Sequence, residues 1–298
     1  MDLYYILFYF TIYSFLGWCT EVVYAAISTG KFVNRGFLNG PFCPIYGFGV
    51  VIIVIFLTPV KDNPAILFSG SVLLTSVLEL TTGWVLEKIF HTKWWNYSDL
   101  PFNIGGYICL KFSLAWGIAC IMIMNIIHPV IQVLVLAVNY RAGKIILSVI
   151  LASIAVDLTA TVQTVLKLNR QLNQINSVAS KIKSLSDDIG EVLYNESISL
   201  MEKSDELKTA LSEQKISINE LMEGKISEAE NSIGRFKELL VERISKMNSE
   251  KSMHTKKLED LMNHSFFGQK RLLNAFPNLK STSYAHALEE LKKKRLEK

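Results

Sequence analysis

"LYYILFYFTIYSFLGWCTEVVYAAIS", residues 3–28, decides what kind of protein this chain is. The run is apolar from end to end except for small polar side chains and one carboxylate, Glu21. A helix that crosses the hydrocarbon layer needs about 20 mostly apolar residues, and this run has them. Four further windows do as well, at 41–60, 65–90, 107–127 and 143–166. In lipid the backbone must satisfy its own polar groups, which leaves helices as the economical solution. The expected fold class is therefore an all-α integral membrane protein with five transmembrane helices. A sixth apolar run, "HPVIQVLVLAVN" at 128–139, is too short to span and reads as an interfacial or re-entrant helix.

Charge divides the chain. Through Leu166 there are eight Lys/Arg and seven Asp/Glu, whereas the last 132 positions carry 23 and 20. That shift places a domain boundary near Leu166. We expect a transmembrane domain over 1–166, a cytosolic coiled coil or helical hairpin over 167–252, and an amphipathic, basic C-terminal segment over 253–298. No Lys or Arg precedes Lys31, so the first run does not read as a cleaved signal peptide. With the N-terminus outside, Lys31, Arg35, Lys88, Lys93, Lys111, Lys167 and Arg170 fall on the cytosolic side, leaving Lys61, Arg141 and Lys144 outside. The positive-inside rule thus predicts N-out, C-in, in a bacterial plasma membrane.

Within the first run, "GWCTEVVY" (17–24) returns as "GWVLEKIF" (83–90). The offset of 66 pairs Gly17 with Gly83, Trp18 with Trp84, Glu21 with Glu87, Gly40 with Gly106 and Cys43 with Cys109. Each unit reads as a helix, a loop rich in Asn, Gly, Pro and aromatics, and a second helix. Two spans per unit make this a parallel internal repeat, helices 1–2 and 3–4, with its axis along the membrane normal. Polar stripes at three-four spacing mark three helices: Ser14, Gly17, Glu21, Tyr24 and Ser28; Ser76, Glu79, Gly83 and Glu87; Ser153, Asp157, Thr161 and Thr164. Carboxylates inside a bilayer face the bundle interior or a watery cavity, so the stripes are expected to converge.

The loop "GKFVNRGFLNGPFCPIYGFG" (30–49) has too many Gly and Pro for a continuous helix. Its Arg35, Asn34 and Asn39 could pair with Glu21 or Glu87 or bind an anion. The second loop, "HTKWWNYSDLPFNIGGYICLKFSLAWG" (91–117), places Trp94, Trp95, Tyr97 and Asn103 beside Lys93 and Lys111. The aromatics have the composition of an interfacial belt, and Lys111 calls for a partner among Glu79, Glu87 and Asp157. Glu21, Glu79, Glu87, Asp157, Arg35 and Lys111 are therefore the candidates for either buried ion pairs or a polar pathway. Their types and spacing leave both open, together with a solvated interface. His91 and His128 read as surface or capping residues, and the four cysteines as small buried hydrophobes.

No catalytic motif competes. There is no G-x-S-x-G, no H-E-x-x-H and no G-x-x-x-x-G-K-[ST] phosphate loop. No metal or other cofactor is called for, and no enzymatic reaction is expected. If ATP drives this protein, a separate ATPase subunit must bind it.

"NRGFLNGPFCPIYGFG", "LEKIFHTKWWNYSDLPFNIGGYICLKFSLAWG" and the following "HPV" resemble the bacterial membrane-protein family known as putative ABC-transporter permease, CmpB type. The likeness covers about residues 5–165 and leaves the tail unmatched. It implies a polytopic plasma-membrane protein in transport, with no role for any single residue.

In the tail, Leu172, Ile175, Ala179, Ile182, Leu185 and Ile189 follow helical spacing, as do Leu211, Ile218, Met222, Ala229, Ile233, Phe236 and Leu240 with gaps. Gly190, Gly224 and Gly234 suggest breaks, so a hairpin or a homo-oligomer formed through the tail is expected rather than a lone rod. "HSFFGQKRLLNAFP" (264–277) and the terminal "LKKKRLEK" read as a solvated amphipathic end or a contact with anionic lipid. The tail's small excess of base over acid argues against nucleic acid. Three functions remain: a permease component lacking its own ATPase, a non-transporting membrane scaffold or sensor working through the coiled coil, and a membrane enzyme on a lipid or envelope precursor.

Overall fold

The computed structural model describes residues 2–213 and 219–296. Helices dominate it. Helix α1 (Leu3–Thr29) begins where the Asp2 carboxylate accepts the Tyr4 N–H, and it stops at Gly30, whose φ of 68° suits a residue without Cβ. Helix α2 (Pro44–Leu57) starts on a proline and continues as a short 3₁₀ turn to Val60. Helix α3 (Pro64–Phe90) is capped by Asn63, which accepts from Ala65 and Ile66, and closes on His91 at φ 50°. His91 is thus a capping residue, as its position beside a helix end suggested.

Helix α4 (Leu110–Met122) passes through a π turn (Ile123–Ile127) directly into α5 (His128–Ala137). This corrects the separate re-entrant helix expected at 128–139. Pro129 cannot donate to the carbonyl four residues back and its ring crowds it. The wider turn, in which the His128 N–H reaches Ile123 O, absorbs that defect and keeps the helix going. His128 is buried rather than on the surface, with Nδ1 3.0 Å from the Tyr13 hydroxyl.

Helix α6 (Tyr140–Glu213) runs unbroken through Gly190, and α7 (Asn219–Asn263) runs unbroken through Gly224 and Gly234. The expected glycine breaks are therefore absent. Lys203 of α6 lies over the Phe236 ring of α7 at 5.1 Å, so the two helices meet there. The side chains of Leu211, Ile218, Met222, Ala229 and Ile233, part of the expected heptad, lie outside the described residues.

Four helices are long and apolar enough to cross a membrane: Leu3–Thr29, Pro64–Phe90, Leu110–Ala137 and the apolar part of Tyr140–Glu206. Pro44–Val60 is apolar but shorter. The bundle core joins Tyr9 and Tyr13 of α1, Ile53 and Val54 of α2, Leu67 of α3, and Met124 and Ile131 from the α4–α5 helix.

Two compact units emerge. One comprises residues 1–172 together with 265–298; the other comprises 173–264. Residues 265–298 thus belong to the same unit as the membrane helices. They supply α8 (Gln269–Ala275) and α9 (Ala285–Leu296). Strand β1 (Thr92–Lys93) pairs antiparallel with β4 (Lys280–Ser281), Thr92 opposite Ser281. Strands β2 (Asn103–Ile104) and β3 (Ile108–Cys109) form a hairpin whose turn carries Gly105 and Gly106 at φ 59° and 75°.

Candidate functional site

Glu21, Glu79 and Glu87 are each answered by a tyrosine hydroxyl. Tyr46 donates to Glu21 Oε1 at 2.6 Å, and Arg35 Nε lies 3.6 Å from the other oxygen. Tyr107 donates to Glu87 Oε2 at 2.6 Å, and Lys93 Nζ lies 3.6 Å from that oxygen. In both places the glycine one turn before the glutamate makes room. A Cβ on Gly17 would strike the Tyr46 ring, and one on Gly83 would come within 2.9 Å of Tyr107. Each cation also sits over an aromatic face: Arg35 over Tyr24 at 5.2 Å, Lys93 over Tyr107 at 4.7 Å. The hydrogen bond to Glu87 pushes the Tyr107 phenol up to about 12, so it stays a donor.

Glu79 differs. Tyr97 donates to its Oε1 at 3.1 Å, while Oε2 is buried with no hydrogen-bond partner among the described residues. Burial and then the Glu79 charge hold the Tyr97 phenol well above its ordinary range, and Glu21 adds to the effect at longer reach. The Tyr97 ring is fixed by stacking on Phe112 at 4.9 Å. Glu79–Tyr97 and Glu21–Tyr46 thus form one polar region inside an apolar bundle.

Asp157 has a different role. Its Oδ1 accepts from the Asn39 N–H (3.1 Å) and the Asn39 side chain (2.8 Å), and its Oδ2 accepts from the Gly40 N–H at 2.6 Å. It anchors the first loop through backbone amides. Thr161 supports it, receiving a second bond from Asn39 at 3.0 Å. Asn34 completes the loop by accepting from the Trp18 indole (2.8 Å) and donating to Asn39 O (2.7 Å). The three polar stripes therefore do not all converge: Glu21 and Glu79 share one polar region, while Asp157 of the α6 stripe binds the first loop instead. The α1 stripe meets α2, where Gly47 clears Ser14; the α3 stripe meets α4, where Ser76 donates to Ser113 at 2.8 Å; the α6 stripe meets the first loop. Small residues admit close neighbours, and each stripe has its own.

Two further expectations are corrected. Lys111 is exposed and, among the described residues, makes no ion pair with Glu79, Glu87 or Asp157, because the first turn of α4 leaves it on the surface. Trp94 is no interfacial anchor. It is 5% exposed and packs against Phe37 at 5.0 Å and Phe276 at 4.8 Å. The returning C-terminal segment removes it from any lipid surface. Trp95 is tied by its indole N–H to Tyr107 O at 2.8 Å, and Asn103 donates to Leu100 O at 2.7 Å, a bond internal to the second loop.

Arg271 was not among the sequence candidates. Its Nη1 donates to Gly36 O (2.9 Å) and Leu38 O (2.8 Å), and its Nη2 to Phe37 O (3.1 Å). Burial lowers its pKa and the nearby Asp157 charge opposes that shift. The only sequence signal was its place in the amphipathic stretch "HSFFGQKRLLNAFP", where Lys270 stands beside it and nothing marks one cation over the other. Around it Leu272, Leu273 and Leu291 are fully buried, which replaces the expected solvated or lipid-bound amphipathic end with a docked one. Cys43, Cys109 and Cys120 are buried and all four thiols are free; Cys43 and Cys109 each stand immediately before a helix, α2 and α4. Among the described residues no cluster of His, Cys, Asp and Glu could hold a metal.

No curated protein and no solved structure matches the chain. One family model does, over residues 8–162, a span that includes every carboxylate above and excludes Arg271. Since that span is just over half of the sequence, the chain belongs to the family described as putative ABC-transporter type IV.

Proposed function

We propose that this chain is the permease component of an ABC-type transporter in a bacterial plasma membrane, driven by a separate ATPase subunit and catalysing no reaction itself. The observation that carries the reading is Glu79, a carboxylate on a helix long enough to span, with one oxygen buried and unpaired. Such a group is expensive in a bilayer and marks an ion or substrate pathway. The pathway runs along Glu79 and Glu21, with Glu87 in the matching position on α3. Arg35 and Lys93 set its charge preference; Asp157 and Lys111 stand outside it, the first as a loop anchor. Pro44–Val60 serves as the fifth span, and the chain enters with its N-terminus outside and its tail in the cytosol.

The same reading treats α1–α2 and α3–α4 as a duplicated pair. Its support is the recurrence of glycine, glutamate, tyrosine and cation in one arrangement, with a cysteine before each second helix. The tyrosines and cations come from positions that the 66-residue offset does not align, so conserved geometry outlasted the register. Isolation of the tagged chain in mild detergent tests the function. A nucleotide-binding subunit should accompany it, and that subunit's ATP hydrolysis in proteoliposomes should require the chain. A chain that purifies alone and alters no ATPase would sink the permease reading.

A second reading has one observation in its favour, the separate compact unit over 173–264. In it the protein is a scaffold acting through its long helices. Removing 173–264 while keeping 265–298 joined by a flexible linker would then abolish function and leave the membrane unit folded.

A further inference from the structure

The turn at Gly36–Gly40 is polarised end to end. Three consecutive carbonyls, of Gly36, Phe37 and Leu38, point at one guanidinium, and the next two amides, of Asn39 and Gly40, point at one carboxylate. A cation sits at the carbonyl end and an anion at the amide end, as the alignment of peptide dipoles requires. Among the described residues Arg271 takes no carboxylate directly; its acceptors are neutral carbonyl oxygens, and its Nε is buried without a partner. A desolvated cation held this way draws its counter-charge from Asp157 through the turn.

The turn is also held by bonds in which Arg271 takes no part. Asn34 bridges Trp18 and Asn39, the Gly36 N–H donates to Asn34 Oδ1 at 3.0 Å, and the Cys43 N–H donates to Ser14 O at 2.9 Å. At Gly36 a Cβ would meet the Trp18 ring and Phe42 O, so the backbone is closely packed there. Every residue that builds the cradle lies within 8–162, the span shared with the family, while Arg271 lies beyond it. We propose that the Gly36–Leu38 turn is a preorganised guanidinium-binding site, that Arg271 fills it as a tethered ligand, and that Asp157 sets its affinity from the opposite face. Occupancy of the site latches the C-terminal segment to the membrane unit.

The planar fork matters. Nη1 bridges two carbonyls while Nη2 takes the one between them, a pattern that an ammonium on a flexible stem does not reproduce. The test is amide hydrogen exchange on the full chain in detergent, read over 276–288, where Thr282 N–H bonds to His91 O and β4 pairs with β1. Arg271→Ala should speed exchange there by about tenfold or more, with the helical content unchanged. Millimolar methylguanidinium should restore slow exchange to that variant, and equal ammonium should not. Asp157→Asn, which leaves Arg271 in place, should speed the same amides and weaken the guanidinium effect. Unchanged exchange in Arg271→Ala would overturn the proposal, since the segment would then dock without the site. Equal rescue by ammonium would overturn it too, by reducing the site to ionic strength.

Discussion

The two loops carry matching glutamate assemblies but are held in different ways. The first, between α1 and α2, is fixed from outside by Asp157 on α6 and by Arg271 from the C-terminal segment. The second, between α3 and α4, is largely fixed by itself. Its β2–β3 hairpin closes on Gly105 and Gly106, Tyr97 N–H bonds to Gly106 O, and Asn103 donates back to Leu100 O. Its outside ties are the short β1–β4 pairing, the Thr282 bonds to His91 O and the packing of Trp94 on Phe37 and Phe276, none of which touches the β2–β3 hairpin. A loop that depends on distant residues can report on them; a loop that closes on itself is a fixed wall. The first loop is thus the element through which the C-terminal segment and α6 can act on the polar region at Glu21.

This contrast can be broken at several points. The largest effect is expected at Asp157→Ala, which strands the amides of Asn39 and Gly40 and removes the counter-charge of Arg271. Loss of one partner in such a buried set costs about 3–5 kcal/mol, so thermal unfolding in detergent should shift down strongly. Next come the glycines. Gly17→Ala forces a methyl into the Tyr46 ring, at about 1–3 kcal/mol, and Gly83→Ala should cost less, because its nearest contact is wider and involves the edge of Tyr107. An equal loss at both would show that the two helix pairs are packed alike after all. Tyr46→Phe should follow, at about 1.5–3 kcal/mol for a hydrogen bond to a charged group, and should exceed Tyr107→Phe. Each glutamate keeps its cation in either variant, but the Tyr46 ring is also packed edge-to-face on Trp116 at 5.6 Å. The smallest effects belong to Arg35→Gln and Lys93→Gln. Both pairs are separated by 3.6 Å with side chains 21–30% exposed, so about 0–1 kcal/mol is expected from a chemical-denaturation comparison.

The membrane helices were legible because hydropathy and capping are local. Asp2, Gly30, Asn63 and Pro64 mark ends that any reader of the sequence can place. The recurring glycine and glutamate at 17 and 21, and at 83 and 87, were legible for the same reason. What could not be read was which distant residue meets which loop. Asp157 and Asn39 are 118 positions apart, and Arg271 and Gly36 are 235 apart; no periodicity carries such a pairing. Lys111 does not find the carboxylate that a lysine in a span calls for, because the first turn of α4 leaves it exposed. Trp94 was misplaced because composition cannot reveal that a later segment will cover it. The helix break at Pro129 failed because one wide turn suffices to absorb a proline.

The difference between the loops is tested most directly by amide hydrogen exchange on both loops in the wild-type chain and in Asp157→Asn. Exchange at Asn39 and Gly40 should accelerate by about tenfold or more, while the amides of Tyr97 and Gly106 keep their wild-type rates. Acceleration of both loops together, or of neither, would contradict the account.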